Sequence, residues 1–139
     1  MNRYGLVFHH LGLAVRRPSQ ALSFIRGMGY QHTEAIFDAE QNVNLILCTH
    51  GQMPTIEIIY PSLSRGPLES ILKDHSEMFY HLCYTSNNMN NSIQKIKSEN
   101  RVIMVSDIKP AILFEGRGVS FYKVAGFGLI EIIEDGSFS

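Results

Sequence analysis

Two short stretches of the chain each place one carboxylate at the centre of an isoleucine-rich run. Glu57 lies in TIEIIYP and Glu131 lies in LIEIIED, and both runs have the composition of a β-strand. An ionised carboxylate on an apolar strand face is costly to bury unless it is paired or bound to a metal. These two glutamates are therefore the first candidates for chemistry.

Two histidines accompany the glutamates with nearly the same spacing. His10 opens HLGLAV and His81 opens HLCYTS, and the interval between them nearly equals the interval between the two glutamates. If the four side chains converge, two imidazoles and two carboxylates form a ligand set for one divalent metal ion. The set suits zinc, cobalt, nickel, manganese or iron, and the donor types alone do not choose among these metals.

The elements that must position these residues also recur. In each half, a strand with the histidine precedes an amphipathic helix, and three strand candidates follow, the last of which carries the glutamate. Ser19 is the expected N-cap of the first helix, and Asn87 or Asn88 that of the second. The order β-α-β-β-β therefore occurs twice in one domain spanning 1–139, with module one at about 1–66 and module two at about 67–139.

Strand alternation indicates where the polar side chains point, because successive side chains lie on opposite faces. In VFHHLGLAV, Leu13 and Val15 belong to the better helix-packing face, which leaves His10 on the other face. In the two glutamate runs the flanking isoleucines pack against helices and leave the carboxylates opposite. His81 is placed by the equivalence of the halves. We expect all four groups on the concave side of a curved sheet.

Each of these residues taken alone has an ordinary interpretation. A single histidine on a strand is usually hydrogen-bonded or half-exposed, and a glutamate between isoleucines usually marks the solvent face of a sheet. The doubled spacing of histidine and glutamate is what favours a metal site. His9 cannot join His10 on one ion in a regular strand, since adjacent side chains point apart.

Composition limits the classes of partner. The formal net charge is −1, and no basic cluster exceeds Arg16-Arg17, which argues against nucleic acid. No apolar run approaches the length of a membrane span. The two cysteines, Cys48 and Cys83, have no CxxC partner, so we expect reduced thiols and a cytoplasmic protein. The expected partner is a small-molecule substrate.

Four segments together carry a family resemblance: HHLGLAV, IEIIYP, YHLCY and GLIEIIE. They resemble the vicinal oxygen chelate superfamily, which includes glyoxalase I, methylmalonyl-CoA epimerase, bleomycin-resistance proteins and extradiol dioxygenases. The segment GPLESILKDHSEMFYHLCY is most similar to the epimerase branch. The resemblance implies an α+β fold, in which two tandem βαβββ modules form an open, curved mixed sheet around a central metal pocket.

The resemblance also implies roles for individual residues. The ligands of one divalent metal fall on His10, Glu57, His81 and Glu131, and Glu131 is also the candidate proton carrier. A second catalytic acid falls on Glu34 in HTEAIF. The segment YKVAGFG lacks the His-Pro pair common in epimerases at that position. Members of the superfamily are often dimers, so a homodimer is expected.

These implied roles favour a metal-dependent epimerase or isomerase. Such an enzyme removes a proton next to a carbonyl, here on an acyl-CoA thioester such as methylmalonyl-CoA. Two alternatives stay open: a glyoxalase I-like lyase acting on a glutathione hemithioacetal, and a non-catalytic, resistance-type protein that binds a small molecule. A fourth protein ligand disfavours extradiol oxygen chemistry, which normally uses two histidines and one carboxylate.

Overall fold

Ten strands and three α-helices form along the chain in the computed structural model, which describes residues 2–135. The first residue and the last four of the expected 1–139 domain lie outside that range. The elements are β1 (Leu6–Val15), α1 (Ser19–Gly27), β2 (Gln31–His32), β3 (Ile36–Asp38), β4 (Val43–Thr49), β5 (Ile56–Pro61), α2 (Leu68–Leu72), β6 (Glu77–Ser86), α3 (Met89–Glu99), β7 (Val102–Met104), β8 (Lys109–Pro110), β9 (Gly118–Val124) and β10 (Gly128–Glu134). A short 3-10 turn covers Ile112–Phe114.

The described residues form two compact units. Residues 10–80 make one, here called the central unit, and residues 2–9 with 81–135 make the other, here called the terminal unit. The division falls inside β1, after His9, and inside β6, after Tyr80. The division of the sequence into modules at about residue 66 stays a prediction.

In the central unit, β5 lies between two partners of opposite direction. It pairs in parallel with β1, where Gly12 is opposite Glu57, and antiparallel with β4, where Leu47 is opposite Glu57. Strands β2 and β3 both pair antiparallel with β4. The glutamate therefore lies on the middle strand of three.

The terminal unit repeats this arrangement with its own strands. Here β10 pairs in parallel with β6, where Cys83 is opposite Glu131, and antiparallel with β9, where Phe121 is opposite Glu131. Strands β7 and β8 both pair antiparallel with β9. The predicted α+β class, with mixed parallel and antiparallel pairing in both units, is confirmed. Four strands rather than the predicted three follow the helix in each unit, because two short strands (β2 and β3, or β7 and β8) pair with one neighbour where a single strand was expected.

Each unit packs one helix against the isoleucine-rich face of its strands. In the central unit, Ile25 of α1 packs with Leu13, Val15 and Ile58. In the terminal unit, α3 packs against β10, and the cluster contains the buried residues Met89, Ile93, Ile96, Ile130 and Ile132. Burying one such aliphatic side chain contributes about 1.5–3 kcal/mol. These are the helix-packing faces that strand alternation predicts.

Several local expectations need correction. HTEAIF is two short strands rather than one, because residues 33–35 leave the strand conformation between β2 and β3. Ser19 is not an N-cap, since Pro18 holds that position and provides no side-chain cap. Proline suits the start of a helix because its missing N–H would have no helical partner there. Asn88 does cap α3, accepting a hydrogen bond from the Asn91 amide at 3.1 Å.

Within residues 2–135, the helices are all too short or too polar to cross a membrane.

Candidate metal centre

The central unit holds one buried pair of histidine and glutamate. His10 lies near the middle of β1, and Glu57 follows Ile56 at the start of β5. His10 Nε2 lies 3.6 Å from Glu57 Oε1. In the parallel register Glu57 is opposite Gly12, and residues two apart on a strand share a face. The histidine and the glutamate are therefore diagonal neighbours on one face of the sheet.

The terminal unit holds an equivalent pair. His81 Nε2 lies 3.2 Å from Glu131 Oε1. Glu131 is opposite Cys83 in the parallel register, so the histidine again precedes the partner of the glutamate by two residues. The histidine and the glutamate are therefore diagonal neighbours in this unit too, as they are in the central unit.

All four side chains are buried, with relative exposures of 0% for His10, 4% for Glu57, 4% for His81 and 3% for Glu131. The ordinary interpretation of each glutamate as a solvent-face residue is therefore wrong. Buried carboxylates require compensation by hydrogen bonds, opposite charge or a cation. The nearest identified compensation in each unit is an imidazole, which is a weak partner for a carboxylate when it is neutral.

The separations within the pairs fit two ligands of one cation. Imidazole nitrogen and carboxylate oxygen bind zinc at about 2.0–2.2 Å, which puts two such donor atoms roughly 2.8–3.6 Å apart at right or tetrahedral angles. A direct N–H···O hydrogen bond prefers about 2.7–3.2 Å. The distance between His10 Nε2 and Glu57 Oε1, 3.6 Å, is at the long end of the ligand range and beyond the hydrogen-bond range. The residues present therefore fit a divalent metal.

One neighbour that distinguishes the two pairs was not predicted from the sequence. The Phe121 ring lies edge-on to the His81 ring, with centroids 5.3 Å apart and planes at 86°. Its backbone is fixed, since its amide donates to Ser106 Oγ at 3.2 Å and its carbonyl accepts from the Val105 amide at 2.8 Å. The equivalent position in the central unit is Leu47. Alignment of the two halves at their glutamates would have found this difference, because it places Leu47 and Phe121 at the same position.

Glu34 lies apart from any regular strand. It is exposed and belongs to the segment between β2 and β3 in the central unit. Its assignment as a second acid stays a prediction. His9 packs edge-on against Phe114 in the terminal unit, with ring centroids 5.0 Å apart. That His9 does not share a ligand role with His10 stays a prediction.

Cys48 and Cys83 are both buried thiols. Burial raises the pKa of the Cys48 thiol to about 11, so this group is protonated at neutral pH. A protonated thiol is neither a good nucleophile nor a good metal ligand. Burial, with a smaller contribution from Cys83, also raises the pKa of Tyr84 in the terminal unit.

Comparison with known proteins places the fold in a family. The sequence profile of the Glyoxalase/Bleomycin resistance protein/Dioxygenase superfamily matches residues 9–121, most of the chain. The chain belongs to this superfamily. The matched part of this glyoxalase-superfamily protein contains His10, Glu57 and His81 and ends before Glu131. No curated protein matches the sequence significantly.

Solved structures share the fold of this glyoxalase-superfamily protein at low identity. A hypothetical protein from Bacillus halodurans is 22% identical, with a TM-score of 0.79, covering 96% of this chain and 97% of its own. Methylmalonyl-CoA epimerase from Mycobacterium tuberculosis is 17% identical, with a TM-score of 0.74, covering 94% of this chain and 87% of its own. A methylmalonyl-CoA epimerase in complex with methylmalonyl-CoA and NH4+ is 15% identical, with a TM-score of 0.73, and the match covers 95% of this chain and 96% of that chain.

Proposed function

We propose that this protein is a metal-dependent isomerase that epimerises an acyl-CoA thioester such as methylmalonyl-CoA. In this proposal His10, Glu57, His81 and Glu131 together hold one divalent metal ion. The observation that carries the proposal is the repetition of one buried histidine–glutamate pair, in the same strand register, in both units. If these positions only stabilised the fold, apolar side chains would serve, and two pairs of metal-binding groups would not be needed.

The chemistry of the donor set supports a proton-transfer reaction. A bound divalent cation supplies Lewis acidity, which makes a proton next to a carbonyl easier to remove. Glu131 is the proposed base. Its carboxylate is buried, and its Oε1 lies 3.2 Å from His81 Nε2, which limits the orientations open to it. Glu34 is the proposed second acid, which returns a proton to the opposite face of the same carbon. Its exposure allows it to exchange protons with solvent.

The choice of acyl-CoA as the first substrate class to test has two supports. The sequence segment before the second histidine resembles the epimerase branch, and several solved structures with the same fold are epimerases by name. Since those structures are at most 17% identical to this chain, the likeness concerns the fold, and the substrate belongs to the proposal.

The deciding experiment combines metal content with hydrogen exchange. Protein purified without an affinity tag is analysed for metal, then incubated in D2O with methylmalonyl-CoA, and deuterium at the acidic carbon is followed by mass spectrometry. We expect about one divalent ion per chain and exchange much faster than in a chelator-treated sample. Stoichiometric metal without exchange on any acyl-CoA thioester would refute the epimerase assignment. Turnover of a glutathione hemithioacetal instead would replace it by the lyase alternative.

We also propose that the protein acts as a homodimer, as the resemblance implies, and that it acts in the cytoplasm, as its two isolated cysteines indicate. Light scattering coupled to size-exclusion chromatography measures the mass directly. A mass of 15.7 kDa, that of one chain, across micromolar concentrations would contradict the dimer. Fractionation of the source cells tests the compartment.

A further inference from the structure

The central unit contains a cavity of about 780 Å³ between α1, the sheet and the beginning of β6. Leu13 of β1 and Ile56 of β5 form part of its wall. Leu13 is three residues from His10, and Ile56 is adjacent to Glu57, so their side chains point to the opposite face of the strands. The cavity is therefore on the helix side of the sheet, away from the face that carries this histidine and glutamate. Its volume is within the range of small-molecule pockets, about 300–1,000 Å³.

The mouth of this cavity is apolar and open to water. Its lining includes Phe24 of α1, Met28 immediately after α1, and Phe79 of β6. Their relative exposures are 69%, 40% and 57%, which are large for such side chains. Covering apolar surface contributes about 25 cal/mol per Å². A ligand with an apolar body would gain from all three side chains at once.

One part of the wall is cationic. Arg16 and Arg17 both line the cavity, at the point where β1 leads into α1. The Arg16 guanidinium donates a hydrogen bond to the Leu72 carbonyl, whereas Arg17 makes no hydrogen bond or ion pair with other residues in the described range. Among the described residues of the lining, Glu77 alone is acidic, and its carboxylate accepts a hydrogen bond from Ser76. Arginine presents planar, forked donors that match a carboxylate.

We propose that this cavity binds an anionic amphiphile, namely an unbranched alkyl carboxylate. The alkyl chain lies between α1 and the sheet, against Leu13 and Ile56, and the carboxylate pairs with Arg17. The combination of an apolar cavity with a net positive wall favours an anionic head group over a neutral one, and a neutral one over a cationic one. This site is independent of the proposed metal, so its occupancy does not require the four metal-binding residues.

Calorimetric titration with decanoate, below its micelle-forming concentration, tests the proposal directly. Decanol and decyltrimethylammonium carry chains of the same length with neutral and cationic heads. We expect saturable binding of one decanoate per chain, with and without a chelator, and roughly two- to fivefold weaker binding of decanol, the value of one exposed charge pair. Equal affinity for decyltrimethylammonium, or a decanoate signal that does not saturate, would overturn the proposal.

Two exposed positions provide variants that leave the core intact. Arg17→Gln should bring decanoate down to the affinity of decanol, whereas Arg65→Gln, which removes an exposed arginine elsewhere in the central unit, should not. Phe24→Ser should weaken both ligands roughly fivefold through lost apolar contact. Its control, Phe37→Ser, removes a similarly exposed phenylalanine outside the cavity. Unchanged binding in both Arg17→Gln and Phe24→Ser would exclude this cavity as the binding site.

Discussion

His81 Nε2 lies 3.2 Å from Glu131 Oε1, with the histidine two residues before the parallel-strand partner of the glutamate. His10 and Glu57 have the same relationship in the other unit, at 3.6 Å. The repeated register explains why the interval between the histidines and the interval between the glutamates are nearly equal without being identical. The geometry of each pair depends only on the register between its own two strands. The number of residues that connect the strands can therefore differ slightly between the two halves.

The metal assignment predicts the result of removing both imidazoles. The double variant with His10→Gln and His81→Gln should lose bound metal, since two of four proposed ligands are replaced by weak ones, while glutamine keeps much of the side-chain volume. Metal per chain by mass spectrometry should fall from about one to near zero. His75→Gln, at an exposed histidine outside both pairs, is the control. A full complement of metal in the double variant would contradict the ligand set.

Removal of the metal should lower stability. A ligand present at about 100 times its Kd stabilises the folded state by about 2.7 kcal/mol, so chelation should reduce the Tm of the metal-loaded protein by several degrees. The double histidine variant should show no such response to chelator. If chelation strips stoichiometric metal without moving the Tm, the ion is not bound by buried residues.

The two proposed proton carriers make different predictions. Glu34→Gln should retain metal and stability, because Glu34 is exposed, but should abolish exchange at one face of the substrate carbon. Chiral analysis of deuterated product separates the two faces. Glu40→Gln, at an exposed acid just after β3, should behave like the unmodified protein. Unchanged epimerisation in Glu34→Gln would remove this residue from the reaction.

Phe121 should support His81 through ring packing. Phe121→Leu installs the residue type found at the equivalent position, Leu47, and removes an edge-on aromatic pair worth about 0.5–1.5 kcal/mol. We expect a stability loss of about 1 kcal/mol in urea unfolding and several-fold weaker metal binding. Phe127→Leu, the same substitution at an exposed phenylalanine, should change neither. Loss of stability with unaltered metal affinity would show that Phe121 is only a core residue.

Burial of Cys48 predicts a pH dependence of stability. Its pKa is raised from an ordinary value of 9.0 to about 11, so the folded state holds the thiol proton in a range where the unfolded chain has released it. Stability from this group is present below pH 9 and is lost as pH rises from 9 to 11, by about 2 kcal/mol in all. Urea unfolding of the unmodified protein and Cys48→Ala should show a steeper decline for the former. Parallel curves would contradict the prediction.

The repeat and the identity of the paired residues could be predicted without any structure. Isoleucines alternating with Glu57 and Glu131 identify strands with one apolar face, and the apolar spacing after each histidine strand identifies a helix. These are local properties that depend on side-chain chemistry and backbone period alone. They were sufficient to predict the repeated order of strands and helix and the face on which His10 and the glutamates lie, whereas the α+β fold class came from the family resemblance.

Pairing between distant segments became visible only in the folded chain. The sequence could not say that Gly12 is opposite Glu57 or that Cys83 is opposite Glu131, because parallel register is fixed by packing and hydrogen bonds between segments far apart in the chain. For the same reason the edge contact of Phe121 on His81 and the cavity beside Arg17 have no local signature. In HTEAIF the local pattern was misleading. Its composition predicts one continuous strand, but the strand is interrupted at residues 33–35, where the pairing with β4 is not continuous.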